Sequence, residues 1–145
     1  MQLGFVGLGK MGLNMVTRLI RGEHEIVAFD RSADATARAA QAGAAAASDL
    51  PTLVSQLHAP RTVWVMVPAG APTESTVSAL AELLSSGDVI IDGGNTNYHD
   101  DVRRAETLAR RGIHYIDAGT SGGVWGLQEG YCLMVGGPES ECARL

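Results

Sequence analysis

The sequence predicts an α/β protein, a doubly wound, mostly parallel sheet with helices on both faces, and three observations lead there. Short runs rich in Val and Ile alternate with longer amphipathic stretches, the sequence form of βαβ units whose strands are covered on both sides. Glycine makes up 18 of the 145 residues and is clustered after predicted strands rather than periodic, which places tight turns and close backbone approaches there. Most specific is Gly7-Leu8-Gly9-Lys10-Met11-Gly12, a GxGxxG that directly follows a strand-like run and directly opens a helical one. That context is the one a Rossmann-type nucleotide-binding turn requires.

Taken in order, strands are expected near 2–6, 24–29, 62–67, 88–92 and 113–117, with helices near 10–21, 33–42, 73–84 and 97–111. The run Ala44 to Ala47 is read as a short strand. Ser48-Asp49 then offers an N-cap to a short helix ending near Leu57. The helix over 97–111 carries a charged face of Arg103, Arg104, Glu106, Arg110 and Arg111, and Asp100-Asp101 fall in its first turn, where the helix dipole favours carboxylates. After Asp117 a glycine-rich loop, Ala118 to Gly123, precedes a last strand over Tyr131 to Val135. Pro138-Glu139-Ser140-Glu141 then opens a helix that stops at Leu145, so the expectation is a domain from a longer protein.

Composition removes whole classes of function. Apolar residues reach 46%, enough for a core, but aromatics only 5%, so that core is aliphatic. Eleven Lys+Arg against 16 Asp+Glu give a net charge of −5, which argues against a nucleic-acid partner. No apolar run approaches the roughly 18–20 residues of a membrane span. A strand begins at once, leaving no room for a secretory leader, and a cytoplasmic location is expected. Cys132 and Cys142 have no CxxC spacing, and His24, His58, His99 and His114 are scattered. No metal site is expected, and both thiols are expected to be buried or inert.

The chemistry-bearing residues fall into three clusters. In the first, Gly7 permits a tight turn, Gly9 lets the backbone approach a pyrophosphate, and Gly12 lets the helix pack closely, while free N–H groups of the helix face the phosphates. Asp30 ends the second strand, where a carboxylate accepts from both ribose hydroxyls of an adenosine, repels a 2′-phosphate and favours NAD over NADP. Arg31 and Ser32 work the other way, since either could hold such a phosphate. In the second cluster, Asp92-Gly93-Gly94-Asn95-Thr96, the Asn95 amide offers a donor and an acceptor to a carboxamide or hydroxyl, or else serves as an ordinary helix cap.

The third cluster, Gly119-Thr120-Ser121-Gly122-Gly123, matches the G-x-S-x-G of a hydrolase elbow. In that fold the histidine follows the serine, whereas all four histidines here precede Ser121. An anion cradle for a substrate carboxylate, or a plain glycine-rich loop, is the better use of Ser121, Gly122 and Gly123. Trp64 is expected in the core and Trp125 beside the substrate pocket.

With Leu3-Gly4-Phe5-Val6-Gly7-Leu8-Gly9-Lys10-Met11-Gly12, Asp92-Gly93-Gly94-Asn95, Ser121-Gly122-Gly123 and Leu133-Met134-Val135-Gly136-Gly137 on the page, the chain resembles the cofactor domain of the decarboxylating 6-phosphogluconate dehydrogenases. The segment Thr120 to Gly126 is most similar to their shorter bacterial branch. The first motif is shared with the wider β-hydroxyacid dehydrogenases, 3-hydroxyisobutyrate dehydrogenase among them. The resemblance implies an NAD(P)-dependent oxidation of the 3-hydroxyl of 6-phosphogluconate, then decarboxylation to ribulose 5-phosphate, without a metal, in the pentose phosphate pathway and gluconate utilization.

It also implies roles. Leu8, Lys10 and Met11 accompany the three glycines at the cofactor, with Met11 against the nicotinamide. Val67, Pro68 and Ala69 line the cofactor path, although the basic residue that longer members carry near Pro68 is missing. Asn95 sits between nicotinamide and substrate, and Ser121, Gly122 and Gly123 meet the substrate near its carboxylate. The general-base lysine and the proton-donating glutamate belong to a helical catalytic and dimerisation domain beyond Leu145, so residues 1–145 are expected to form an NAD(P)-binding domain, inactive alone, of a homo-oligomeric enzyme. Two alternatives stand beside this: a dehydrogenase of a small 3-hydroxy acid, and a non-catalytic dinucleotide-sensing module.

Overall fold

The computed structural model describes residues 1–144, apart from the side chain of Val124; Leu145 lies outside the described residues. Seven strands form one sheet: β1 (Gln2–Val6), β2 (Glu25–Phe29), β3 (Ala45–Ala46), β4 (Thr62–Val65), β5 (Val89–Asp92), β6 (His114–Ser121) and β7 (Cys132–Gly136). Their spatial order is β3-β2-β1-β4-β5-β6-β7. Every pairing is parallel except β6 with β7, which is antiparallel. The connecting helices are α1 (Lys10–Arg21), α2 (Ala33–Gln41), α3 (Leu50–Ser55), α4 (Ala71–Leu83) and α5 (Tyr98–Ala109), followed by the short α6 (Gly126–Glu129) and α7 (Glu139–Arg144).

Each boundary has a local cause. Buried Gly12, Met15 and Val16 give α1 an apolar stripe at helical spacing, and Arg18 and Arg21 lie in its last turn, where the dipole favours cations. Ser32 caps α2 by accepting from Ala35 N–H at 3.4 Å, and Asp49 caps α3 by accepting from Thr52 N–H at 2.7 Å. The alanine run does form the edge strand β3.

Strand alternation builds two cores. Val63 and Val65 of β4 face α3, α4 and α5, packing with Leu53, Leu80 and Leu108. Between them Trp64 points to the other face with Phe5, Met15, Val16 and Ala39, its ring stacked on Phe5 at 6.2 Å. Each fully buried side chain of the size of Leu53, Leu80 or Phe5 contributes about 1.5–3 kcal/mol of apolar transfer.

Four expectations are corrected. The strand over 62–67 ends at Val65, so Met66 and Val67 open a loop, and the helix after it starts at Ala71. The supposed loop Ala118–Ser121 is the second half of β6, held in register by β7, with Thr120 opposite Leu133 and Ser121 opposite Cys132. Alternation there was hidden because Gly119 contributes no side chain to the pattern. A 3-10 turn (Gly123–Trp125) and α6 follow where only loop was expected. The cysteines are free but not buried: Cys132 is exposed on β7 and Cys142 half-buried.

Candidate cofactor cleft

The sheet order reverses at β1, which has β2 on one side and β4 on the other, and a crevice opens beyond the carboxyl ends of these strands. The glycine turn enters it from β1. Gly7 has φ +97°, and a Cβ there would meet the Met66 carbonyl oxygen. A Cβ on Gly12 would strike the Gly7 carbonyl oxygen, so these two glycines let the turn close upon itself. Gly9 differs: a Cβ there would meet nothing within 4 Å. The chain does not need that bareness for its own packing, and it leaves the backbone and the first N–H groups of α1 open to an anion.

Asp30 locks this turn to the end of β2. Its Oδ2 accepts from Leu8 N–H at 2.6 Å and its Oδ1 from Ser32 N–H at 2.8 Å. Each oxygen keeps a second lone pair for a ligand hydroxyl. Leu8 itself is fully buried and its amide is committed to Asp30, so it holds the loop from beneath. Arg31 is exposed at the rim, while the Ser32 hydroxyl is engaged as the α2 cap. A cleft of about 350 Å³ runs past Gly7, Gly9, Asp30 and Arg31 to Val67 and Pro68.

A second cleft, about 440 Å³, brings together Met11, Met66, Val67, Pro68, Ala69, Gly93, Gly94, Asn95 and Thr120. The first cluster and the second thus meet in space, as does the Val67-Pro68-Ala69 loop. Met66 and Thr120 are the residues missed: Met66, expected within a strand, opens the loop that lines both clefts, and the one-in-two position of Thr120 on β6 turns it into the second cleft, a signal legible only once Gly119–Ser121 is known to be a strand. Ser121 stands exposed at the end of β6, and Gly122 and Gly123 turn the chain with φ +140° and +46°. A strand end paired to Cys132 and leading into a 3-10 turn is not the strand-to-helix elbow of a hydrolase. Trp64 is buried, with its ring against Gly93, whereas Trp125 is 68% exposed and lines neither cleft. Lys10 is exposed.

Behind Asn95 lies a cluster the sequence did not reveal. Asp92, Asp101 and Arg104 are buried, at 0%, 5% and 3% exposure. Arg104 Nη1 lies 3.1 Å from Asp101 Oδ1 and 3.6 Å from Asp92 Oδ2. The Tyr115 hydroxyl sits 2.9 Å from Asp92 Oδ2 and 2.8 Å from Asp101 Oδ1, and its single proton serves one of them at a time. Burial, reinforced by the Asp92 charge, pushes the Tyr115 phenol far above its ordinary range, so it remains a neutral donor. Burial and the charges of Asp101 and Asp92 likewise raise Asp117. Asp92 Oδ1 accepts Gly94 N–H at 2.9 Å, and Thr96 Oγ1 lies 3.1 Å from Asp92 Oδ2 and 2.9 Å from Asp101. Asp100 follows the dipole expectation at the exposed end of α5; Asp101, one residue on, faces inward and belongs to this cluster instead. The helix cap is Asn97, which accepts from His99 N–H, and this leaves Asn95 free of that duty.

Known proteins resemble this chain in sequence and fold. A family model described as the NAD binding domain of 6-phosphogluconate dehydrogenase matches residues 2–145. The NAD(+)-dependent, decarboxylating 6-phosphogluconate dehydrogenase of Haloferax volcanii is 47% identical over 139 residues, 96% of this chain and 46% of that protein. The Plasmodium falciparum 6-phosphogluconate dehydrogenase, solved in its apo form and with NADP+ and 6-phosphogluconate, superposes with a TM-score of 0.90 at 27% identity over 99% of this chain and 32% of that one. The 3-hydroxyisobutyrate dehydrogenase of Mycobacterium tuberculosis gives 0.88 at 28% identity over 99% of this chain and 48% of its own. The chain thus spans about half or less of the length of these proteins. With the glycine turn, the Asp30 lock and the Asn95 cleft in one crevice, the chain belongs to the family of NAD-binding domains of 6-phosphogluconate dehydrogenase.

Proposed function

We propose that this domain binds NAD in preference to NADP and forms the cofactor half of an enzyme that oxidatively decarboxylates 6-phosphogluconate to ribulose 5-phosphate. The observation that carries the cofactor preference is Asp30, held by Leu8 N–H at 2.6 Å and Ser32 N–H at 2.8 Å beside the open surface of Gly9. A carboxylate so fixed accepts from a ribose diol and repels a phosphate on it. The NAD(+)-dependent name of the Haloferax volcanii relative supports the preference. In this reading Gly7, Gly9, Lys10, Met11 and Gly12 border the phosphates and nicotinamide, with Leu8 beneath. Arg31 and Ser32 flank the adenosine, and Val67, Pro68, Ala69 and Asn95 line the nicotinamide end.

A nicotinamide held there would supply the acceptor for the hydride of the substrate alcohol. The chain's own residues orient that exchange: the Asn95 amide faces the junction of carboxamide and substrate hydroxyl, and Ser121 with the N–H groups of Gly122 and Gly123 receives the substrate carboxylate. Lys10, the sole lysine, stands exposed in the glycine turn; in this reading, which here rests on the resemblance to the family, the general base and the acid would come from a helical domain that would also carry the contacts of a homo-oligomer. The net charge of −5 fits a small-molecule rather than a nucleic-acid partner, a cytoplasmic location is part of the same reading, and no described helix is long and apolar enough to cross a membrane. Replacing Asp30 with Ala tests the preference: the gap between NADH and NADPH affinity narrows, and an unchanged ratio removes Asp30 from the account.

A further inference from the structure

We propose that Arg104 is a positioning residue for the nicotinamide end of the cleft, because its guanidinium ties together the two loops that form the cleft's walls. The inference rests on the dinucleotide reading above. One wall, Val67-Pro68-Ala69, runs into α4 and is held to it by Thr73 Oγ1, which donates to the Pro68 carbonyl at 3.0 Å. The next residue of α4 is Glu74, and its Oε2 takes Arg104 Nε at 3.0 Å. The other wall, Gly93-Gly94-Asn95, is flanked by Asp92 and Thr96. Arg104 Nη1 reaches that side through Asp101 at 3.1 Å and Asp92 at 3.6 Å, and these two carboxylates hold Gly94 N–H and the Thr96 hydroxyl.

The planar guanidinium makes this possible, since its donors point in fixed, divergent directions that an ammonium does not reproduce. Asn95 itself is exposed, and its neighbours rather than its own side chain carry the hydrogen bonds of the turn. Its amide is therefore placed from behind. A buried ion cluster of this kind gains little stability over an apolar core of the same shape, because desolvation offsets the attraction. What apolar residues would not supply is a fixed separation between two polar loops.

The test is calorimetric titration of the 145-residue chain and its variants with NADH and with ADP-ribose, which lacks the nicotinamide. In Glu74→Ala and Arg104→Lys the NADH affinity falls about fivefold, the equivalent of about 1 kcal/mol, while ADP-ribose affinity is unchanged. Glu74→Gln, which keeps an acceptor for Nε, stays nearer the unaltered chain. Glu74 is on the surface, so Glu74→Ala decides the matter even where Arg104→Lys fails to fold. An unchanged NADH to ADP-ribose ratio in Glu74→Ala overturns the inference, as does an equal loss of both ligands, the mark of a merely structural role. Failure of the unaltered chain to bind either ligand overturns the dinucleotide reading itself, and Arg104 loses this role with it.

Discussion

At its glycine-turn end the cleft is shaped by what a side chain would collide with, whereas at its Asn95 end it is shaped by buried charge. Gly7 and Gly12 close the first region by backbone contact alone, and one carboxylate, Asp30, fastens it through two amide hydrogen bonds. The second region is held by Glu74, Asp92, Asp101, Arg104 and Tyr115, gathered from two helices and two strands. The first needs small residues at fixed spacing along the chain; the second needs opposite charges at fixed distances in space. A perturbation of each end therefore has a different signature.

The largest effect is expected at the charged end. Arg104→Ala leaves Asp92 and Asp101 buried without their counter-ion and lowers unfolding free energy by about 3–5 kcal/mol, read as a shift of the urea midpoint. A loss no greater than that of an exposed surface substitution would mean that water enters the cluster freely. Next comes Gly7→Ala, which forces an L residue to φ +97° with its Cβ on the Met66 carbonyl. Positive-φ strain alone costs about 1–3 kcal/mol, and thermal melts would show it.

Gly9→Ala sharpens the contrast within the same turn. Its Cβ enters open space, so stability stays within about 0.5 kcal/mol of the unaltered chain. Dinucleotide affinity nonetheless drops at least about tenfold, about 1.4 kcal/mol, because the new methyl takes the ligand's place. Retained affinity would show that the pyrophosphate does not lie over Gly9.

The smallest effect concerns pH. The hydrogen bond from Arg103, with further support from Arg104, holds the Glu74 carboxyl down at about 2 against an ordinary 4.5. A carboxyl depressed on folding stabilises fully above its unfolded value, and that contribution is lost as pH falls from about 4.5 toward 2. Because Glu74 is 43% exposed, solvent screens the effect. Acid titration of stability should thus be slightly flatter in Glu74→Ala across that window, and identical curves would place the Arg103 contact among ion pairs of no consequence.

What was legible in the sequence follows the same division. The glycine turn was readable because its constraint is local: strand, GxGxxG and helix adjoin, and Asp30 ends the next strand. The parallel sheet was readable from Val and Ile runs, and even β3 from its flanking Gly43 and Ser48-Asp49. The charged cluster was not, because residues 74, 92, 101, 104 and 115 meet only after the sheet has formed. On a helical wheel Arg104 and Asp101 look like members of a solvated face, and only α5 packing against β6 turns them inward. The far end of β6 escaped for a different reason. Gly119 and Gly122 mimic a loop in composition, while what makes Ala118–Ser121 a strand is pairing with β7, more than ten residues away. Thr120 was lost with it.

The most direct test of the central claim is calorimetric titration of the chain with NADH and with NADPH at one fixed salt concentration, because a 2′-phosphate at Asp30 is the single difference between the two ligands. The account predicts that NADH binds more tightly. Tighter binding of NADPH, or binding of neither by a chain whose circular dichroism shows it folded, would contradict it.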